Sequence, residues 1–228
     1  LAYAREETRY VAGLDDGDAA SGDPSPVTAE GVYRGIRAAI GTVFGSDDVS
    51  GRKVAVQGVG HVGADVVRKL RRDGAEVLIA DIAKSQVEAL ADETGAVPVS
   101  VDEILFREVD VVSPNALGGI INRDSVPKLA CKIVAGGANN QLMTPDVGEA
   151  LKNRGILYAP DYVINGGGII NVAAEISGSY ERSWVNAKLD RLVETLQEVF
   201  DRANAEGRAT NLIADEMARA RIATGRSK

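Results

Sequence analysis

The stretch Val54-Ala-Val-Gln-Gly-Val-Gly-His-Val-Gly63 constrains the fold more than any other. An apolar, β-branched run predicts a strand over Lys53–Gln57, and Gly58, Gly60 and Gly63 follow with Gly-x-Gly-x-x-Gly spacing. A helical pattern starts at His61, and a second apolar run, Glu76–Ala80, ends in Asp81. Strand, tight turn, helix, strand and acid, in that order, form the setting in which this spacing binds a dinucleotide. Gly58 lets the chain turn out of the strand. Gly60 leaves room for a pyrophosphate, and Gly63 lets helix and strand pack closely. The helix N-terminus offers unpaired N–H groups and partial positive charge to phosphates.

The alternation continues along the chain. Strands are expected over 53–57, 76–80, 97–99, 110–113, 132–135 and 156–158. Helices are expected over 26–44, 61–73, 85–93, 101–106 and 145–153, with a short helical turn over 123–129. Ser25 reads as the N-cap of the first helix and Pro26 as its first residue. Its small residues Gly31, Gly35, Ala38 and Ala39 suggest close packing against another element. From Gly166 onward no strand is expected, only helices over 169–177, 182–205 and 211–224. The pattern predicts an α/β fold, a Rossmann-type doubly wound, mostly parallel sheet with extra C-terminal helices. Residues 1–10 read as the end of a helix and 13–26 as a Gly-, Asp- and Pro-rich connection. The expected division is the end of a preceding domain plus linker over 1–26, and a dinucleotide-binding domain over 27–228. Loops 58–63, 114–119, 136–141 and 159–168 all leave carboxyl ends of strands, which is where such sheets bind ligands.

Composition narrows the function. A net charge of −7, without a basic stripe, argues against nucleic acid or an anionic membrane as partner. No apolar stretch is long enough to span a bilayer. The single cysteine, Cys131, excludes an internal disulfide, fits a reducing cytoplasm, and lies in an apolar run that suits a buried thiol. Asp15, Asp16, Asp18 and Asp23 lack the spacing of a calcium loop, and no His/Cys cluster suggests zinc, so no metal is expected. His61, the only histidine, occupies a variable position of the glycine motif and is not expected to be catalytic.

Four further motifs carry a family resemblance: Gly22-Asp-Pro-Ser-Pro-Val-Thr-Ala-Glu-Gly-Val-Tyr-Arg-Gly35, Ser113-Pro-Asn-Ala-Leu-Gly-Gly119, Ala135-Gly-Gly-Ala-Asn-Asn-Gln-Leu142 and Tyr158-Ala-Pro-Asp-Tyr-Val-Ile-Asn-Gly-Gly-Gly-Ile-Ile-Asn-Val-Ala173. In this order and spacing they resemble the dehydrogenases of glutamate, leucine, phenylalanine and valine, and the leucine/valine branch most. The resemblance implies oxidative deamination of an amino acid to its 2-oxo acid, with hydride passed to NAD, by a homo-oligomer. It implies that Gly58, Gly60 and Gly63, with Val59, His61 and Val62 between them, hold the pyrophosphate. Asp81, followed by Ile82, would bind the adenosine ribose and disfavour a 2′-phosphate. Thr28 and Asn140 would orient the nicotinamide carboxamide, while Ala116, Leu117 and Ala138 would line the cleft. Ile169 and Val172 would face the substrate side chain.

Two residues depart from the family pattern: Asn115 stands where cysteine is usual, and Ala174 where an acid is usual. The resemblance further implies that the catalytic lysines and acid lie on a domain preceding Leu1. Lys53, Lys128 and Lys152 lack the Gly-rich context of the catalytic lysine, so no catalytic residue is expected among these 228. The alternatives are a dinucleotide-binding module without activity, or a phenylalanine or glutamate dehydrogenase of the same superfamily.

Overall fold

The computed structural model describes residues 23–176 and 181–225. The helix expected over 1–10, most of the 13–26 connection and Ser177 lie outside the described residues. Among the described residues six parallel strands form one sheet in the order β3-β2-β1-β4-β5-β6. They are β1 (Lys53–Gln57), β2 (Glu76–Ala80), β3 (Val97–Pro98), β4 (Val111–Pro114), β5 (Ile133–Val134) and β6 (Leu157–Tyr158). The chain winds outward through β2 and β3, then returns to the other side of β1 at β4. The switch point therefore lies between β1 and β4, directly above the glycine turn that ends β1.

The central strands β1 and β4 are buried on both faces, while β3 at the edge of the sheet is exposed. In β1, Val54 and Val56 join a core under helices α1 (Ser25–Phe44), α2 (His61–Arg72), α3 (Lys84–Thr94), α7 (Arg182–Glu206) and α8 (Thr210–Gly225). Ala55 points the other way, into a second core with Val112, Val134, Val147 and Leu151. That side is covered by α4 (Val147–Asn153) and two 3₁₀ turns, Ile104–Phe106 and Val126–Lys128. Helix α2 is amphipathic: Val66, Val67 and Leu70 are buried, while Lys69, Arg71 and Arg72 complement the negative end of its dipole.

The small residues of α1 do pack closely. A Cβ on Gly35 would lie 2.4 Å from Ile164 Cγ1, and one on Gly31 3.3 Å from the Ile164 carbonyl oxygen. Ile164 ends α5 (Asp161–Ile164), a short helix inside the stretch read from sequence as the loop 159–168. Helix α6 (Gly167–Ile176) follows it.

Three further expectations are corrected. The cap of α1 is Pro24, and Ser25 is its first helical residue. The Ser25 N–H donates to Asp23 Oδ1 at 2.9 Å, so an upstream carboxylate replaces the expected serine cap. The helix read over 101–106 shrinks to a 3₁₀ turn, and the short helical turn read over 123–129 is the second 3₁₀ turn, a form that helical segments of three or four residues often take. Strands β3, β5 and β6 pair over only two residues each.

Cys131 is buried, and burial pushes its thiol up to about 11. At pH 8 the folded chain should react with Ellman's reagent at least 100-fold more slowly than the same chain in guanidinium, which should release one equivalent. Fast reaction of the folded protein would show that the second core opens readily.

Candidate functional site

The turn after β1 is built from glycines under different constraints. Gly58 has φ +91°, and a Cβ there would lie 2.8 Å from the Cβ and N of Ala116. A Cβ on Gly63 would lie 2.0 Å from the Gly58 carbonyl oxygen, so α2 sits directly on the turn. A Cβ on Gly60 would meet nothing within 4 Å. Gly60 caps α2 without any side-chain hydrogen bond, so the helix opens onto free space at its positive end. This combination suits a bound phosphate.

Asp81 anchors the turn. Its Oδ2 accepts the Val59 N–H at 2.8 Å and its Oδ1 accepts the Ala83 N–H at 2.9 Å. The adjoining Ile82 is 88% exposed, an apolar side chain held out at the carboxyl edge of β2.

The other loops converge on this turn. Asn115 Nδ2 donates to Ser113 Oγ and Oδ1 accepts the Gly137 N–H at 2.9 Å, so Asn115 ties the loops after β4 and β5 together. In the sequence this residue stands out only as a departure; an amide both donates and accepts, which a cysteine does weakly. Ala138 is buried, with its N–H on the Pro114 carbonyl, whereas Ala116 and Leu117 are exposed. Gly137 approaches Val62, and Gly168 approaches Thr28 Oγ1. Gly58, Asp81, Ala116, Ala138 and Asn140 on the loops, and Thr28 and Val62 in the first turns of α1 and α2, thus belong to segments in mutual contact at the carboxyl ends of the strands.

Ile169 and Val172 both lie on α6 but differ in setting. Ile169 is 73% exposed on a groove of about 660 Å³ lined also by Tyr162, Ile170, Leu192 and Met217. Val172 is half-buried. Ala174 is buried against Val185 and Leu189 of α7, an apolar helix contact. His61 is exposed, with Nδ1 3.1 Å from Asp23 Oδ2. Hydrogen bonds from Ser25, with His61 adding to them, hold the Asp23 carboxyl below its usual range. Asp161 and Asn165, which have no expected role within their motif, hold the loop after β5 from outside, and Gln141 braces it from within. Among the described residues no three His, Cys, Asp or Glu side chains are grouped to hold a metal, and no helix is long and apolar enough to cross a membrane.

The strand order, with an open glycine turn at the switch point, defines a Rossmann-type α/β domain. The chain belongs to the Glutamate/Leucine/Phenylalanine/Valine dehydrogenase family, whose sequence model matches residues 78–224. Leucine dehydrogenase of Thermoactinomyces intermedius is 46% identical over 217 residues, 95% of this chain and 59% of that protein. Leucine dehydrogenase of Geobacillus stearothermophilus is 45% identical over 221 residues, 97% of this chain and 60% of that protein. The solved structure of L-tryptophan dehydrogenase from Nostoc punctiforme superposes with a TM-score of 0.86 at 38% identity, covering 91% of this chain and 63% of that one. The chain therefore spans about three fifths of the length of the leucine dehydrogenases it matches.

Proposed function

We propose that these residues form the NAD-binding part of an enzyme that oxidatively deaminates a branched-chain L-amino acid to its 2-oxo acid and ammonia. The observation that carries this reading is the open cradle at Gly60, backed by Asp81, in a chain with leucine dehydrogenase relatives. NAD, when bound, would accept a hydride from the substrate α-carbon. Gly58, Val59, Gly60, His61, Val62 and Gly63 would hold its pyrophosphate, and Asp81 its adenosine ribose beside Ile82. The Thr28 hydroxyl, which donates to the Pro24 carbonyl at 3.0 Å, keeps a lone pair to accept a carboxamide N–H. Asn140 would hold the other side of the carboxamide, and Ala116, Leu117 and Ala138 would bound the ring. Ile169 and Val172 would offer apolar surface to a branched side chain. By the same kinship we propose a homo-oligomer of the cytoplasm whose lysines for proton transfer stand on a separate domain.

The test is calorimetry of the purified 228-residue chain with NADH and NADPH, followed by a turnover assay with NAD and L-leucine or L-valine. NADH should bind and no amino acid should be oxidised. Failure to bind NADH overturns the cofactor role. Turnover by these residues alone overturns the assignment of the proton-transfer groups to another domain.

A further inference from the structure

Asn140 has φ +53°, the one non-glycine residue with positive φ among the described residues. Asparagine tolerates this conformation better than most residues, but it still costs free energy, so the surroundings must hold it. What holds it is a clamp on a single peptide unit. The Asn140 carbonyl accepts the Gly119 N–H at 2.7 Å. At the other end of the same peptide, the Gln141 N–H donates to Asp161 Oδ2 at 2.7 Å. Fixing both ends fixes the peptide plane, and with it the direction in which the Asn140 side chain leaves the loop.

Asp161 is itself rigid. It is 7% exposed at the start of α5, and Oδ2 also accepts the Tyr158 hydroxyl at 3.1 Å. Burial and the neighbouring carboxylate push the Tyr158 phenol upward, so it stays a donor. Gln141 Nε2 grips the Gly136 and Ala138 carbonyls at 2.7 and 3.0 Å, and Asn165 Nδ2 donates to Asn139 Oδ1 at 2.6 Å. Every one of these bonds tightens the loop, but among them only the Gln141 N–H bond to Asp161 ties the Asn140–Gln141 peptide itself to a buried side chain outside the loop.

We infer that Asp161 is a positioning residue: through the Gln141 N–H it sets Asn140 for the nicotinamide end of the cofactor and leaves the adenine end unaffected. The inference rests on the cofactor reading above. A purely architectural carboxylate would support both ends of the cleft equally.

The experiment measures NADH and ADP-ribose, which lacks the nicotinamide, against the 228-residue chain and its variants. Wild type should bind NADH more tightly than ADP-ribose. Asp161→Ala should weaken NADH about tenfold and ADP-ribose less than about twofold. Asp161→Asn, which keeps an acceptor oxygen of the same shape, should recover most of the loss. In an Asn140→Ala background, Asp161→Ala should cost nothing further, because the two act as one unit. Parallel loss of both ligands in either variant, additive losses in the double variant, or unchanged NADH binding in Asp161→Ala each overturn the inference. Equal wild-type affinities also overturn it, since the nicotinamide then contributes nothing. A wild type that binds neither ligand overturns the cofactor reading itself.

Discussion

Gly63→Val should abolish measurable NADH binding and lower the melting temperature by roughly 4–10 °C, whereas Gly60→Ala should weaken binding with the melting temperature nearly unchanged. The two sites are three residues apart in one turn and differ in what a side chain meets. At Gly63 the first added carbon would lie 2.0 Å from the Gly58 carbonyl oxygen and 3.3 Å from Asn115 Cβ. The nearer atom is backbone, so no rotamer relieves the overlap. Gly58 cannot retreat either, because its φ is +91° and it already abuts Ala116. Helix α2 must lift off the turn, which spreads the amides that would face the phosphates. Losing a glycine from a helix interior gains up to about 1 kcal/mol in propensity with alanine, and less with valine. Overpacking a tight contact costs about 1–3 kcal/mol, so the clash wins. At Gly60 the added methyl points into open space, so the fold does not notice it and only a ligand does. Thermal melts and calorimetry on both variants check this. A Gly60→Ala chain that binds NADH as tightly as wild type would remove the turn from the proposed site.

The same contrast shows how much was legible in the sequence. Glycine spacing after an apolar run located the turn, because so few residues tolerate a positive φ or a backbone approach as close as that at Gly63. Strands β1 and β2 carry enough β-branched, doubly buried residues for their bounds to be read residue by residue. Strands β3, β5 and β6 pair over two residues, too short for periodicity to define their ends. Helix α5 was hidden because four residues cannot display a helical period. The cap of α1 was misplaced because two serviceable polar residues, Asp23 and Ser25, flank Pro24, and pattern alone does not say which one supplies the oxygen. At the candidate site, the glycine turn and the position of Asp81 at the end of β2 were readable from the sequence. Asn115 and Asp161 were not, since they act through backbone partners far away in sequence, the Gly137 and Gln141 N–H groups. Such roles depend on which loops meet, and loop meeting is set by sheet order rather than by local composition.

The second large effect concerns the choice between NAD and NADP. Wild type should prefer NADH over NADPH by at least about 100-fold, and Asp81→Ser should bring the ratio within about tenfold while weakening NADH. The preference follows from how the carboxylate is held. An exposed acid at the end of a strand could swing away from a 2′-phosphate and lose little. Asp81 cannot, because Oδ2 is bonded to the Val59 N–H and Oδ1 to the Ala83 N–H. Hydrogen bonds to a charged group are worth about 1.5–3 kcal/mol each, so turning the side chain out costs more than most ligands return. In the proposed cofactor site the negative charge therefore stays where a 2′-phosphate would arrive. The bond to Val59 also steadies the glycine turn, so serine should loosen the pyrophosphate end as well as the ribose end. The loss of NADH affinity should then exceed that of a single ribose hydrogen bond. Salt gives an independent check: the wild-type preference should shrink as ionic strength rises, because the penalty on NADPH is repulsion at a half-exposed charge. The serine variant should show little salt dependence in its ratio. Calorimetry with both nucleotides at low and high salt decides it. A wild type that binds NADPH as tightly as NADH would mean that the anchored Asp81 serves the turn alone and does not select the cofactor.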